Sequence, residues 1–343
     1  MKTLFYKPDY FINQDGISKV EEIRIGSIKQ SILVQGQYTT NPVLLFLHGG
    51  PSMPIPGVSS RGKDYTIVTN TKHLVEHFIV VFWDQRGTGK SYHNDIPQET
   101  MNIEQFVADT IELANYLRSK FNQEKIYLAA HSWGTIPGLL AIIRRPDLFY
   151  TYTGISQIIN WVENDRISYA WAIEEARKRN NRKAVKELSI VGPPPYTESF
   201  AQWSVLRKWQ QRFGTIIHTD EKIKHPGFRR IALDLLFSAD YTVKDVYNSF
   251  VKGFKLIYNL NFIKELSTID FRKSITTYNL PVNLIHGKKD VHVHGQLVEN
   301  YYQALGDKSN VKLYWMDKSG HAFHPDDTRN IEEILIGMKS KHK

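Results

Sequence analysis

The run Ala129-Ala130-His131-Ser132-Trp133-Gly134 constrains this chain more than any other segment. It lies between an apolar strand-like stretch, Ile126 to Ala130, and an apolar helix-like one that begins at Thr135. A serine on such a strand-to-helix turn takes strained backbone angles, so the residues two before and two after it must be small. Ala130 and Gly134 meet that demand, with alanine standing where glycine is usual. The turn lifts the Ser132 hydroxyl clear of a sheet and aims the Trp133 N–H at a developing oxyanion.

The surrounding pattern supplies the sheet. Leu44-Leu45-Phe46-Leu47 is a continuous apolar run of the kind that fills a strand buried on both faces, and it ends in His48-Gly49-Gly50-Pro51. Pro51 has no N–H to give, which makes Gly50 the better placed second oxyanion donor. The next run, Phe78 to Trp83, leads into Asp84-Gln85-Arg86-Gly87-Thr88-Gly89-Lys90-Ser91. A phosphate-binding loop ending in Gly89-Lys90-Ser91 would need glycine at position 84, where Asp84 would repel a phosphate. Asp84 and Arg86 are instead expected to form a structural charged pair at the strand end.

A serine nucleophile needs a base and an orienting acid, in this architecture in the order Ser, Asp, His. Pro281 to Gly287 reads as a strand, with Asp290 just past it. Val311 to Met316 reads as the next strand, followed by Ser319-Gly320-His321. The expected triad is Ser132, Asp290 and His321, with His324 a competitor for the base. His292 and His294, near His286, raise the alternative of a metal site, but a helix starting after Asp290 would splay them.

Together, His48-Gly49-Gly50-Pro51, Asp84 to Ser91, His131-Ser132-Trp133-Gly134 and Ser319-Gly320-His321 resemble the proline iminopeptidase (prolyl aminopeptidase) branch of the α/β-hydrolases. The resemblance implies a triad of Ser132, Asp290 and His321, an oxyanion hole at Gly50 and Trp133, and release of N-terminal proline from a short peptide. An ester or lactone of a bulky, partly apolar acid is the alternative substrate, and a non-catalytic binding protein on the same fold a third reading. Ser52, where the family usually has glycine, and Ala130 depart from the family pattern without removing a catalytic group.

The expected fold is a mostly parallel, doubly wound α/β sheet with an N-terminal antiparallel hairpin over Val20 to Gln35. Residues 1–156 and 269–343 would form the core and 157–268 a helical cap, rich in Trp, Tyr, Lys and Arg and broken by Gly192-Pro193-Pro194-Pro195 and His225-Pro226-Gly227. An amine-binding cap needs carboxylates, and Glu163, Asp165, Glu174 and Glu175 are available. Trp161, Trp171, Trp203 and Trp209 could wall an apolar pocket, or simply form the cap's core. Glu163, Glu174, Trp161 and Trp171 are the first candidates for substrate contact.

The 343 residues hold 44 Lys and Arg against 35 Asp and Glu, a net charge of +9. The bases are spread along the chain, and the densest run, Arg177 to Lys186, has glutamates beside it, which points to a solvated helix face rather than nucleic-acid binding. No apolar run approaches the roughly 18 residues of a membrane span. The first ten residues show no export signal, so a cytoplasmic enzyme with a small-molecule or short-peptide substrate, no cofactor and no membrane partner is expected. The chain has no cysteine, which removes disulfides and a thiol nucleophile.

Overall fold

The computed structural model describes residues 6–339; the reading of the first ten residues falls partly outside them. In chain order the elements are β1 (Ile17–Ile25), β2 (Ile28–Gly36), β3 (Val43–Leu47), α1 (Leu74–His77), β4 (Ile79–Asp84), α2 (Ile103–Lys120), β5 (Ile126–His131), α3 (Thr135–Arg144) and β6 (Phe149–Ile155). Then come α4 (Trp161–Lys178), α5 (Arg182–Val191), α6 (Phe200–Phe213), α7 (Gly227–Leu236), α8 (Val243–Tyr247), α9 (Phe254–Ile257), α10 (Leu260–Leu266) and α11 (Phe271–Ser274). The chain closes with β7 (Val282–Gly287), α12 (Gly295–Ala304), β8 (Val311–Met316) and α13 (Pro325–Lys339).

Among the described residues eight strands form one sheet, in the order β1-β2-β4-β3-β5-β6-β7-β8. β1 and β2 pair antiparallel, and β2 joins β4 antiparallel. Every pairing from β4 to β8 is parallel. Every residue of β3, β4, β5 and β7 is buried, as parallel strands covered on both faces require. Helices α2 and α3 cover one face through Phe106, Leu113, Ile136 and Leu139, and α13 covers the other through Ile331 and Leu335. Among the described residues no helix is long and apolar enough to cross a membrane.

Helices α4 to α10 are inserted between β6 and β7, and the two ends of the insertion are clipped together. The Trp161 amide donates to the Ile269 carbonyl and the Phe271 amide to the Ile159 carbonyl. The helices of the insertion own a separate apolar cluster that includes Ala172, Leu188, Trp203, Leu206 and Trp209.

One expectation is corrected here. Arg86 does not pair with Asp84 but with Asp109 on α2, through two hydrogen bonds of 2.8 and 3.0 Å, and both side chains are fully buried. Gln30 and Gln105 also donate to that carboxylate, and Arg86 donates to the Gly26 carbonyl. Gly26, in the β1–β2 turn, has φ +54°, and a Cβ there would lie about 2 Å from both Asp109 Oδ1 and Arg86 Nη2. The pair thus pins the hairpin to α2 and leaves no space for a side chain.

Removing one partner of such a pair strands a buried charge. Asp109→Ala is expected to lower stability by about 3–5 kcal/mol in urea unfolding. Glu104→Ala, which breaks the exposed pair with Arg144, should cost less than about 1 kcal/mol. Equal losses would refute this account of the pair.

Candidate active site

Ser132 sits at the end of β5 with φ +50°, in the left-handed region that serine rarely occupies. The turn is held from several sides. Thr135 Oγ donates to the Ser132 carbonyl at 2.5 Å. A Cβ on Gly134 would lie 2.6 Å from the Leu47 carbonyl oxygen and 2.7 Å from that of His48, so only glycine allows β3 to approach the elbow. Ala130 is tolerated because Gly138 faces it: a methyl at 138 would come 3.2 Å from the Ala130 Cβ.

Three strand ends bring Ser132, His321 and Asp290 together. His321 Nε2 is 2.9 Å from Ser132 Oγ, and His321 Nδ1 is 2.8 Å from Asp290 Oδ2. Asp290 is further fixed by the Ser156 hydroxyl at 3.0 Å and by the amides of His292 and Val293, which donate to its other oxygen. Burial alone would raise its pKa, but the charge and hydrogen bond of His321, with His286 and His292 nearby, hold it below the usual carboxylate range. His324 lies elsewhere, its Nε2 3.2 Å from the Lys224 carbonyl oxygen.

Two more imidazoles pack against the His321 ring. His131 lies 4.9 Å away and His292 4.6 Å away between ring centroids. His131 Nε2 donates to the His321 carbonyl at 3.2 Å while its buried Nδ1 has no partner, and burial pushes its pKa down to about 3. Burial, with the charges of His321 and Arg207, keeps His292 well below the ordinary histidine value. His286 Nε2 donates to the Val293 carbonyl at 2.9 Å, and burial lowers its pKa too. Sequence reasoning misses these rings as site residues: it places them close to Ser132 and Asp290 along the chain but does not say which way they turn.

Another such link is Gln85. Its amide donates to the His48 carbonyl at 2.9 Å, its Oε1 accepts from the Trp133 indole at 3.1 Å, and its backbone N–H donates to His48 Nε2. One side chain therefore ties the ends of β3, β4 and β5. Gly50 has φ +119°, and its N–H makes no hydrogen bond among the described residues. Its carbonyl accepts a short hydrogen bond from the Tyr258 hydroxyl. A Cβ on the preceding Gly49 would stand 3.2 Å from the Ser132 Cβ, which shows how closely this loop runs to the serine.

In the inserted helices the candidate substrate contacts separate. Glu163 pairs with Arg166, and Glu174 with Lys178 on an exposed helix face. Trp171 packs on Phe213 within the apolar cluster of the insertion. Asp165 is the carboxylate that turns inward, and it accepts from Arg207 at 2.5 Å. Burial raises its pKa against the pull of Arg207. The Arg207 guanidinium lies between the indoles of Trp161 and Trp203, 5.2 and 5.3 Å from their centres. Trp203 stacks on Tyr258 at 4.7 Å, which joins this layer to the Gly50 loop.

The phosphate-loop alternative meets a direct obstacle. The Lys90 N–H donates to Asp84 at 3.0 Å and the Gly89 N–H to Ser249, so the amides that would cradle a phosphate are engaged. Asp84 also accepts from Val58 and from the Tyr241 hydroxyl at 2.5 Å, and burial lifts its pKa to about 6 despite these bonds. The histidines weighed as metal ligands part company. His292 Nδ1 is 3.2 Å from Thr215 Oγ, and His294 Nε2 is 3.1 Å from Ser168 Oγ. The turn after Asp290 continues to His294, and α12 begins only at Gly295.

The depressed histidines make stability pH-dependent. His48, held near 4, His131, near 3, and the lowered His286 and His292 resist protonation in the fold but charge at about 6.5 once unfolded. The unfolded chain therefore binds more protons below that pH, so stability is complete above about 6.5 and falls as the pH drops toward the folded values. The urea midpoint should be clearly lower at about pH 5 than at about pH 7.5, and His131→Gln should shrink the difference. A midpoint that did not move would contradict the burial of these rings.

Residues 42–188 match the family model described as alpha/beta hydrolase fold. The chain is 31% identical over 330 residues to "Probable aminopeptidase YbaC" of Bacillus subtilis (strain 168), covering 95% of this chain and 98% of that one. The crystal structure of a proline iminopeptidase-related protein from Thermus thermophilus superposes with a TM-score of 0.59 at 18% identity, over 94% of this chain and 98% of that one. An epoxide hydrolase from Vigna radiata gives a TM-score of 0.53 at 17% identity, over 94% and 98% of the two chains. The two structural likenesses speak for the fold alone. Sequence and fold together place this chain in the α/β-hydrolase family.

Proposed function

We propose that the chain is a serine hydrolase that works through an acyl-enzyme on Ser132 and releases the N-terminal residue, proline first, from short peptides. The observation that carries this reading is the unbroken hydrogen-bonded line from Asp290 through His321 to Ser132. In the reaction His321 takes the Ser132 proton as the hydroxyl attacks the scissile carbonyl. Asp290 holds the ring and stabilises the imidazolium. The N–H groups of Gly50 and Trp133 take the oxyanion, and His321 returns the proton to the leaving amine. Water then repeats the sequence in reverse on the acyl-enzyme. The aminopeptidase description of the Bacillus relative supports the peptide substrate. Residues 157–268 act as a cap over this site, and the protein works in the cytoplasm.

Ester hydrolysis is the second reading, and one observation favours it. The four carboxylates that the sequence singles out for a substrate ammonium are all engaged: Glu163, Glu174 and Glu175 pair with neighbouring cations and Asp165 is taken by Arg207. The same triad and oxyanion donors serve an ester without an amine site.

Proline and alanine aminoacyl amides, an N-blocked proline amide, and a set of acyl esters and lactones separate the two. Rapid cleavage of the free proline amide with refusal of the blocked one is expected, and turnover confined to esters or lactones would sink the aminopeptidase reading. Ser132→Ala should lower kcat by about 10⁴-fold or more in either case. A variant that keeps its rate would remove Ser132 as nucleophile.

A further inference from the structure

Helix α7 turns Ile231 and Leu235 into the core, yet leaves Leu233, Leu236 and Phe237 about 42% exposed. Next to it, α8, a π-helical turn over Asn248–Gly253, and α9 run on as one helical stretch. That stretch shows an apolar stripe at Val243, Tyr247, Phe250 and Phe254, with exposures of 64, 51, 37 and 37%. The spacing of four, three and four keeps the stripe on one side of the helix. α7 packs against α8, which brings the two sets of exposed side chains near one another. Seven side chains of this size leave on the order of 500 Å² of apolar surface in water, near the upper end for a monomer.

The charges around this surface are sorted by sign. Its three acids are all engaged: Asp234 with Lys63 and Arg230, Asp240 with Arg61, and Asp245 with Lys90 and the start of α8. Arg229, Lys244 and Lys255 are exposed and form no ion pair among the described residues. Lys244 and Lys255 each follow a stripe residue by one position, about 100° round the helix on the same flank. Arg229 lies on the outward sector of α7 with Leu233 and Leu236.

We propose that this face of α7, α8 and α9 docks on an anionic membrane surface. Apolar side chains flanked only by free cations suit the boundary of a bilayer, where the rings enter the acyl region and the lysines meet lipid phosphate and carboxylate groups. Such docking requires no spanning segment. The face also adjoins the candidate site. Phe254 packs on Tyr258 at 4.5 Å, and Tyr258 donates to the Gly50 carbonyl.

The full chain would be sedimented with vesicles of phosphatidylcholine alone and with about one-third phosphatidylserine. Binding to the anionic vesicles several-fold stronger than to neutral ones is expected. Tyr247→Ser with Phe250→Ser, and separately Lys244→Glu with Lys255→Glu, should each weaken it about tenfold or more. Unchanged thermal unfolding of both double variants establishes that the fold is intact. No binding, or equal binding to the two kinds of vesicle, would overturn the proposal. So would a dimer in solution that Tyr247→Ser with Phe250→Ser dissociates, which would assign the face to a second copy.

Discussion

A serine held at φ +50° at the end of a buried central strand is the constraint on which the rest of the site depends. The conformation costs of order 1–3 kcal/mol and persists only where its surroundings leave no alternative. Here β5 is hydrogen-bonded on both sides, to β3 and to β6, so its end cannot relax sideways. Gly134 lets the β3 carbonyls press against the turn, and Thr135 closes it from the helix side. The elbow is therefore a property of the whole sheet rather than of six residues.

Around that serine the polar groups are buried but almost fully satisfied. Each oxygen of Asp290 has donors, His48 and Gln85 exchange bonds between neighbouring strand ends, and the indole of Trp133 reaches Gln85. A satisfied network of this kind fixes ring orientation, while a lone buried polar group would destabilise. The unpartnered Nδ1 atoms of His131 and His286 fit neutral rings whose single proton is already committed to a carbonyl.

The parts legible in the sequence are those where one physical rule dominates. Strands β3, β4 and β5 are buried on both faces and so read as largely continuous apolar runs. The positions of Ser132, Asp290 and His321 follow from strand ends taken in order. Partner choice is not legible in the same way. Asp109 lies within an amphipathic helix, and nothing in its local pattern says that its carboxylate crosses to Arg86 rather than facing water. Asp165 and Glu163 stand two residues apart on α4, yet one is buried against Arg207 and the other pairs at the surface. Residues two apart on a helix point about 200° apart, but which of the two turns inward is set by the packing of α4 against α6. The ring directions of His131 and His292 depend likewise on packing between distant segments.

The inserted helices and the sheet obey different constraints, and Tyr258 is where they meet. Arg207, clamped between Trp161 and Trp203 and tied to Asp165, cements α4 to α6; a substrate ammonium that sought Asp165 would have to displace a cation stacked on two indoles. Trp203 in turn stacks on Tyr258, whose hydroxyl grips the carbonyl of Gly50. A peptide plane moves as a unit, so pulling on that carbonyl turns the Gly50–Pro51 peptide about the ψ of Gly50, while the Gly50 N–H belongs to the preceding peptide plane. Any shift of α6 that slides Trp203 across Tyr258 is consequently felt at the loop beside Ser132.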